Sequence, residues 1–453
     1  MIIANLIYIL QSENYLPKRF LGYVYKHLAW WRLQKRQKIV WTKKAILIYI
    51  LTIILFLGIS AVGVRLVEWW AVIIGLFLVV ILPWLALVAL LIVWPIDYYL
   101  KQRIFNKAKK ITNQKKIIKI GITGSYGKTS AKEILFLMLA EKYKVLKTPE
   151  NINTDIGVAQ FVIDNLKDQE ILIVEMGAYR IGEIKSICQI VSPDYSILTG
   201  INEAHLERFG SLQNTIKAKF ELPEATGKKS FLNFDDSRVA DNYQRFKINQ
   251  AVGVKYQEAI KEVKHKSDFS GLEFKLQGKE MHCKLLAEHN LSLIALGAEL
   301  AKELGLSPEE IKRAVGKIDY IPHRLQPIYN RAADVWVIDD SYNANFDGVV
   351  SGLEVLRGAR GRKIVLTPGP LVELGERAEE IHRKIGRLYA EKVDLVLLIK
   401  SRETEYVLEA LKEQGLANYK IYENTAEAHG DLKNILRKGD TILFQNDWPD
   451  VYF

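Results

Sequence analysis

Residues 122–130, ITGSYGKTS, lie between two stretches of different periodicity, and their reading decides the fold. Upstream, IIKIGI from Ile117 is a short β-branched run of the kind that forms a buried parallel strand; downstream, AKEILFLMLA from Ala131 carries apolar residues at helical spacing. A strand, a glycine turn and a helix start thus follow one another directly. Gly124 and Gly127 let the backbone turn so that successive N–H groups and the helix N-terminus face a phosphate, with Ser125 and Ser130 in the same loop. Lys128 adds a point charge and Thr129 a hydroxyl for Mg²⁺, which makes ATP the expected guest. The strict G-x-x-x-x-G-K-[ST] spacing is missed by one residue, because Gly121 lies six positions before Gly127.

A chain of 453 residues, 49% of them hydrophobic, has room for two or three domains with real cores. Its net charge of +11 is unevenly spread: residues 1–120 hold 18 Lys/Arg against 3 Asp/Glu, and the remainder holds 45 against 49. The basic excess therefore belongs to one end and does not mark a nucleic-acid module. That end contains Ala45–Val64 and Trp69–Ile96, two uncharged runs long enough to cross a hydrocarbon core, separated by Arg65, Leu66, Val67 and Glu68. They read as a transmembrane helical hairpin over residues 45–96. Lys35, Arg36, Lys38, Lys43 and Lys44 precede it, and Lys101, Arg103, Lys107, Lys109, Lys110, Lys115 and Lys116 follow. The positive-inside rule then places both flanks, and the ATP site, on the cytoplasmic side of the cytoplasmic membrane. Trp69, Trp70, Trp94, Tyr98 and Tyr99 occupy the places of interfacial anchors. Residues 1–44 mix apolar, aromatic and basic side chains, which fits an amphipathic membrane-surface helix or a solvated basic arm. Cys188 and Cys283 stand alone, so neither a disulfide framework nor a zinc site is expected.

After a basic linker at 97–116, strand-like runs alternate with helical stretches: IIKIGIT, ILIVEMG, YSILTGI and KSFLNF. This pattern predicts an α/β domain with a parallel sheet over 117–321, closed by one helical segment from Glu288 to about Val315. IPHRLQP breaks it. VWVIDD, RKIVLTPG, LVLLIK, YKIYE and TILFQND then predict a smaller, Rossmann-like domain over 322–453.

Glu175 closes the apolar run ILIVE, where a doubly wound sheet opens its ligand crevice, and a carboxylate there can hold a divalent cation. His205, in TGINEAHLERFGS after the next such strand, reads either as a ligand of Mg²⁺ or Mn²⁺ or as a hydrogen-bonded structural histidine. Lys217 and Lys219 in IKAKFELP read, by themselves, as a solvated face.

Taken together, TGSYGKTS, TPENINTDIGVA, EMGAYRIGEI, LTGINEAHLERFGSLQNTIKAKFE, EHNLSLIALGAELA, HRLQP and VIDDSYNANFD resemble, in order and spacing, the Mur ligases, and most closely their MurF-type branch. The resemblance covers roughly residues 117–440. It implies a middle domain that binds ATP and a C-terminal domain that closes over it with an incoming amine. It further implies transfer of the ATP γ-phosphate to a substrate carboxylate, then attack by the amine to form an amide. By the same resemblance, Lys128 would hold the β/γ-phosphates, Thr129 one Mg²⁺, and Glu175 and His205 the metal sites. Lys219 matches the lysine that is carbamylated in this family. Asn290 matches an adenine-side asparagine, Arg324 an arginine reaching the nucleotide from the domain junction, Asp340 an aspartate near ribose and phosphate, and Asn151 and Asn153 a substrate-facing loop.

The chain departs from that family at several places. Nothing before Lys116 resembles the soluble domain that grips the UDP portion of the precursor. Tyr126 stands where asparagine is frequent, His323 where glycine is usual, and Phe346 where proline is normal; LTPGPLVELGE and the ending LFQNDWPDVYF differ in the domain that receives the amine. Three readings follow: a membrane-tethered MurF-like ligase of cell-wall precursor synthesis, the same chemistry on a lipid-linked or poly-γ-glutamate-type substrate, or an inactive scaffold at the membrane.

Overall fold

In a computed structural model of the protein, the described residues are 2–445 except 28, 34–37, 67–70, 204–205, 267, 343–344, 368 and 372–373. Lys35, Arg36, Trp69, Trp70, His205 and the ending from Asn446 lie outside the described residues. Two units are distinguished, one reaching Ile104 and the other running from Phe105.

The first unit contains α1 (Ile2–Ser12), α2 (Pro17–Lys26), α3 (Lys43–Leu66) and most of α4 (Ala71–Gln114). Leu6, Leu10, Phe20, Ile48, Ala86 and Leu90 form a small core. Two of these helices are long and apolar enough to cross a membrane, over Lys43–Ala61 and Val80–Gln114. Ile50, Ile54 and Leu57 on α3, and Val88, Leu91 and Ile92 on α4, remain exposed, an apolar surface that protein does not cover. Lys44 Nζ meets Asp97 Oδ2 at 2.9 Å and ties the start of α3 to α4. Residues 97–114, expected as a linker, instead continue α4, because their lysines alternate with apolar positions at helical spacing. Ala108 and Thr112 are its buried positions there, and Thr112 Oγ1 donates to Ile190 O at 2.8 Å.

The second unit holds both α/β domains. The middle one runs β1 (Ile118–Thr123), α5 (Lys128–Leu139), β2 (Val145–Lys147), α6 (Asp155–Asn165), β3 (Ile171–Glu175), α7 (Glu183–Val191), β4 (Tyr195–Leu198), α8 (Leu206–Phe209), α9 (Leu212–Ala225), β5 (Lys229–Asn233), α10 (Ser237–Ala240) and β6 (Ala251–Val254). Its six strands are parallel in the order β2-β3-β1-β4-β5-β6, so the strand order reverses around β1. The carboxyl ends of β1 and β3 face the crevice there, and their register sets Ile122 opposite Glu175. Ile120, Ile122, Ile134, Met138, Ile173 and Ile197 fill the core beneath.

After α11 (Tyr256–Ala259) comes an antiparallel meander that the sequence reading missed: β7 (Ile260–His265), β8 (Leu272–Leu276) and β9 (Lys279–Cys283). The helical segment expected as one is two, α12 (His289–Glu303) and α13 (Pro308–Gly316). Gly305 turns the chain at φ 82°, and Ser307 and Glu310 cap α13 reciprocally ahead of Pro308.

The C-terminal domain comprises β10 (Gln326–Asn330), β11 (Val335–Asp340), α14 (Phe346–Arg357), β12 (Lys363–Thr367), α15 (Ala378–Lys392), β13 (Leu395–Ile399), α16 (Arg402–Glu413), β14 (Tyr419–Tyr422), α17 (Thr425–Ile435) and β15 (Thr441–Gln445). The strand order is β10-β11-β15-β12-β13-β14, parallel except for β10. Between the two domains, His323 has φ 58°, a left-handed conformation that glycine adopts without cost, and its Nδ1 lies 2.8 Å from Asp339 Oδ2.

Candidate active site

The glycine loop leaves β1 at Thr123 and enters α5 through Gly127, whose φ of 71° gives the turn. A side chain at Gly124 would put Cβ 2.0 Å from Thr199 Oγ1, so the loop lies against the end of β4 only as glycine. Tyr126, the departure inside the loop, packs its ring on Gly200 and donates its hydroxyl to Asp236 Oδ2 at 2.8 Å. Asp236 also accepts from Ile201 N at 2.8 Å, which fixes the loop to that turn. Ser125 Oγ is buried with no hydrogen-bond partner among the described residues, and the first turn of α5 leaves its amide N–H groups without intrahelical acceptors. A phosphate would satisfy these donors, so the residues fit a nucleoside triphosphate. Ser130 is buried beside them.

Lys128 folds back over the loop, with Nζ 2.8 Å from Gly124 O. Burial lowers its pKa below the ordinary lysine value and Arg324 adds to this, while Glu175 opposes it. Glu175, at the end of β3, is almost fully buried. Its Oε2 accepts from Thr129 Oγ1 at 3.1 Å, and Oε1 lies 3.5 Å from Asn153 Nδ2. Its own backbone N–H donates to Thr148 Oγ1 at 3.0 Å. The Thr129 hydroxyl and the Glu175 carboxylate are a pair of hard oxygens suited to Mg²⁺. Among the described residues no cluster of three or more His, Cys, Asp or Glu forms, so phosphate oxygens and water would have to complete the shell.

Sequence reasoning missed Lys132. Its Nζ is fully buried and lies 3.1 Å from the same Glu175 Oε2. The signal was a lysine four residues after Lys128, which places both on one stripe of the helix.

Lys219 sits in α9 at 2% exposure, whereas Lys217 on the same helix is exposed. Among the described residues Lys219 takes no hydrogen bond or ion pair; the Phe209 ring faces its ammonium at 5.6 Å. Burial drives its pKa well below the usual lysine value and Lys128 adds to this, against weaker opposition from Glu183 and Glu221.

From the C-terminal side, a cleft of about 300 Å³ brings Tyr126, Gly127 and Ser130 together with Asn290, Arg324 and Asp340. Asn290 Nδ2 donates to Ala287 O at 3.2 Å, and the Arg324 guanidinium lies over the Tyr342 ring at 4.3 Å. Asp340, at the end of β11, accepts from Leu325 N at 3.2 Å. Burial pushes its carboxyl up to about 7, against the Leu325 N–H and Arg324. The N-cap and first turn of α14 supply Asn345, Asp347 and Gly348 to the same cleft. Asn151 accepts from Tyr342 OH at 3.3 Å, and Asn202 donates to Asp347 Oδ2 at 3.0 Å, and both of these bonds span the domains. His289, Tyr342 and Asp347 also line the site but were not singled out in the sequence, although each lies within a motif quoted there.

Residues 122–299 match the Mur ligase middle domain, and residues 323–445 match the Mur ligase glutamate ligase domain. The chain belongs to the Mur ligase family. Members of this family are ATP-dependent, ADP-forming ligases. The UDP-N-acetylmuramoyl-tripeptide–D-alanyl-D-alanine ligase of Bacillus subtilis is 25% identical over 335 residues, covering 72% of each chain. The ligase of the same name from Escherichia coli is 30% identical over 291 residues, 62% of this chain and 64% of that one. The chain thus spans just under two thirds of the Escherichia coli relative. A crystal structure of the MurF ligase from Thermotoga maritima in complex with ADP superposes with a TM-score of 0.68 at 25% identity, covering 77% of this Mur ligase and 80% of that one.

Proposed function

We propose that this Mur ligase is a membrane-anchored, MurF-like ATP-dependent amide ligase that joins a D-alanyl-D-alanine-type amine to a muramoyl-peptide carboxylate in peptidoglycan precursor synthesis. The observation that carries the reading is the convergence of Lys128, Thr129 and Glu175 at the ends of β1 and β3, with Gly127 and Ser130 of the same loop lining one cleft together with Arg324 and Asp340. The names of the relatives support the substrates. A carboxylate is a poor electrophile at neutral pH, so the γ-phosphoryl of ATP is transferred to it first; the amine then displaces phosphate and an amide forms. Bound Mg²⁺ supplies charge neutralisation on the transferring phosphoryl. Lys128 and the amides of α5 hold the phosphates, Thr129 and Glu175 offer oxygens to the cation, and Arg324 and Asp340 hold the nucleotide against the C-terminal domain. Lys219, buried and with no ion-pair partner among the described residues, suits carbamylation: its neutral amine can add CO₂ and release a proton, which puts an anionic metal ligand where a buried cation is disfavoured.

A second reading keeps the chemistry and changes the acceptor to a lipid-linked or poly-γ-glutamate-type carboxylate. The uncovered apolar faces of α3 and α4 favour it, since they would hold the ligase at a lipid surface. The test is ADP release by the full-length chain in detergent with UDP-N-acetylmuramoyl tripeptide and D-alanyl-D-alanine, against lipid-linked and polyglutamate acceptors. Turnover with the first pair, abolished in Lys128→Ala, is expected. Turnover only with another acceptor selects the second reading, and none with any pair rejects both.

A further inference from the structure

Lys132 has a place in the metal site that no family motif quoted above assigns. It lies one turn beyond Lys128 on α5, is fully buried, and puts Nζ 3.1 Å from Glu175 Oε2, the oxygen that also accepts from Thr129. Its other carboxylate neighbour, Glu133 Oε1, is 3.9 Å away, and Glu133 is itself engaged by Lys147. An isolated carboxylate as buried as Glu175 would be costly, and a buried lysine likewise, so each cation–anion pair here exists because the other partner does.

We propose that Lys132 is a positioning residue that stands in for the divalent cation: it neutralises and orients Glu175 while the cleft is empty, and so makes metal binding conditional on the nucleotide. The ammonium and a divalent ion compete for the same Glu175 oxygen. Without phosphates, and with Lys219 not carbamylated, the site offers Thr129 and one compensated carboxylate, and no cluster of three or more His, Cys, Asp or Glu forms among the described residues, too little charge to draw a hard cation out of water. Phosphate oxygens add the missing anionic charge, so the metal enters with ATP. The inference rests on the ligase reading for the identity of the site, but its test uses the metal alone.

The experiment measures thermal unfolding of the full-length chain in detergent, with and without Mn²⁺ and with no nucleotide, in the parent, K132M, K132R and the double variant K132M/E175Q. K132M should melt several degrees below the parent, because Glu175 is left buried and unpaired. Mn²⁺ should restore most of that loss and bind K132M more than about tenfold more tightly than the parent, by electron paramagnetic resonance of free Mn²⁺. Parent and K132R should not respond to Mn²⁺. K132M/E175Q should regain stability and lose the Mn²⁺ response. An equal Mn²⁺ response in parent and K132M, a K132M melting point equal to the parent's, or a response that persists in the double variant would overturn the proposal. Should K132M fail to fold, recovery of folding in K132M/E175Q supports it, and failure of both assigns Lys132 to packing and rejects it. Stabilisation of the parent by ADP with Mg²⁺ is read in parallel; its absence counts against the ligase reading and leaves the Mn²⁺ result standing.

Discussion

Arg377 of the C-terminal domain places Nη1 2.7 Å from Glu203 Oε1 of the middle domain. Arg238 reaches the same oxygen at 2.8 Å, so one carboxylate ties the turn after β4 to the segment that leads into α15. Arg377 directly follows LTPGPLVELGE, one of the stretches that depart from the family pattern. We predict that Arg377→Ala costs no more than about 1 kcal/mol of stability, because Arg377 is 39% exposed and Arg238 still holds Glu203. Its larger effect should be on closure: the KM for ATP should rise severalfold with kcat nearly kept, and Arg377→Lys should recover part of it. Steady-state kinetics decide this, and a fall in kcat at unchanged KM would count against a closing role.

The strands that carry the site were legible because parallel strands buried on both faces read as continuous β-branched runs, and ILIVE ends on Glu175. The meander β7–β9 was not, since IKEVKH, LEFKL and KEMHC interleave charges with apolar residues that only the middle-domain core covers, as Leu272, Phe274 and Leu276 show. Lys132 was hidden for a related reason. In an amphipathic pattern a lysine reads as solvated, and its burial depends on Glu175, 43 residues away in the chain. The pairing of Glu203 with Arg377 spans 174 residues and has no local signature. Lys219 shows the opposite case: composition made it resemble Lys217, the family resemblance separated them, and burial places them on different sides of α9.

Asp340 gives stability a pH dependence of unusual sign for a carboxylate. Its folded-state pKa of about 7 lies above the ordinary value of 3.8, so between the two the folded chain binds more protons than the unfolded one. The contribution of this group is therefore greatest at low pH and is lost as pH rises through about 7. Asp340→Asn removes the titration and keeps an acceptor for the Leu325 N–H. The melting temperature of Asp340→Asn minus that of the parent should increase between about pH 5 and pH 8. A difference that stays flat across that range would show that Asp340 is not held protonated in the empty cleft.

The apolar helices predict how the chain partitions. Electrostatic attachment through the basic flanks alone would be released by high salt, because exposed charges are screened beyond a Debye length of about 3 Å at 1 M. Hairpin insertion would resist salt and yield to detergent. We predict the second behaviour for the full-length chain, and loss of membrane retention on deletion of residues 43–96 with the ligase domains still folded by circular dichroism. Full release by salt, or retention of the deletion variant, would contradict anchoring by α3 and α4.

Lys219 and Lys217 provide the sharpest test of the chemistry. If Lys219 acts as a carbamate, Lys219→Ala should lose nearly all ligation, since the metal loses an anionic ligand. Short carboxylates such as formate or acetate should restore part of the turnover by placing an anion in the vacated space. Lys217→Ala should match the parent, as a solvated lysine on the outer face of α9 contributes within about 0.5 kcal/mol. A lysine that acted as a cation on phosphate would behave in reverse, with small amines rescuing the variant and carboxylates failing. The buried setting argues for the first outcome: beside Lys128, and with no carboxylate paired to it among the described residues, an ammonium at position 219 would be disfavoured by both burial and like charge, whereas an anionic carbamate would be drawn toward the cations of the loop. Rescue by amines alone, or equal activity of the two alanine variants, would remove the carbamate from the mechanism.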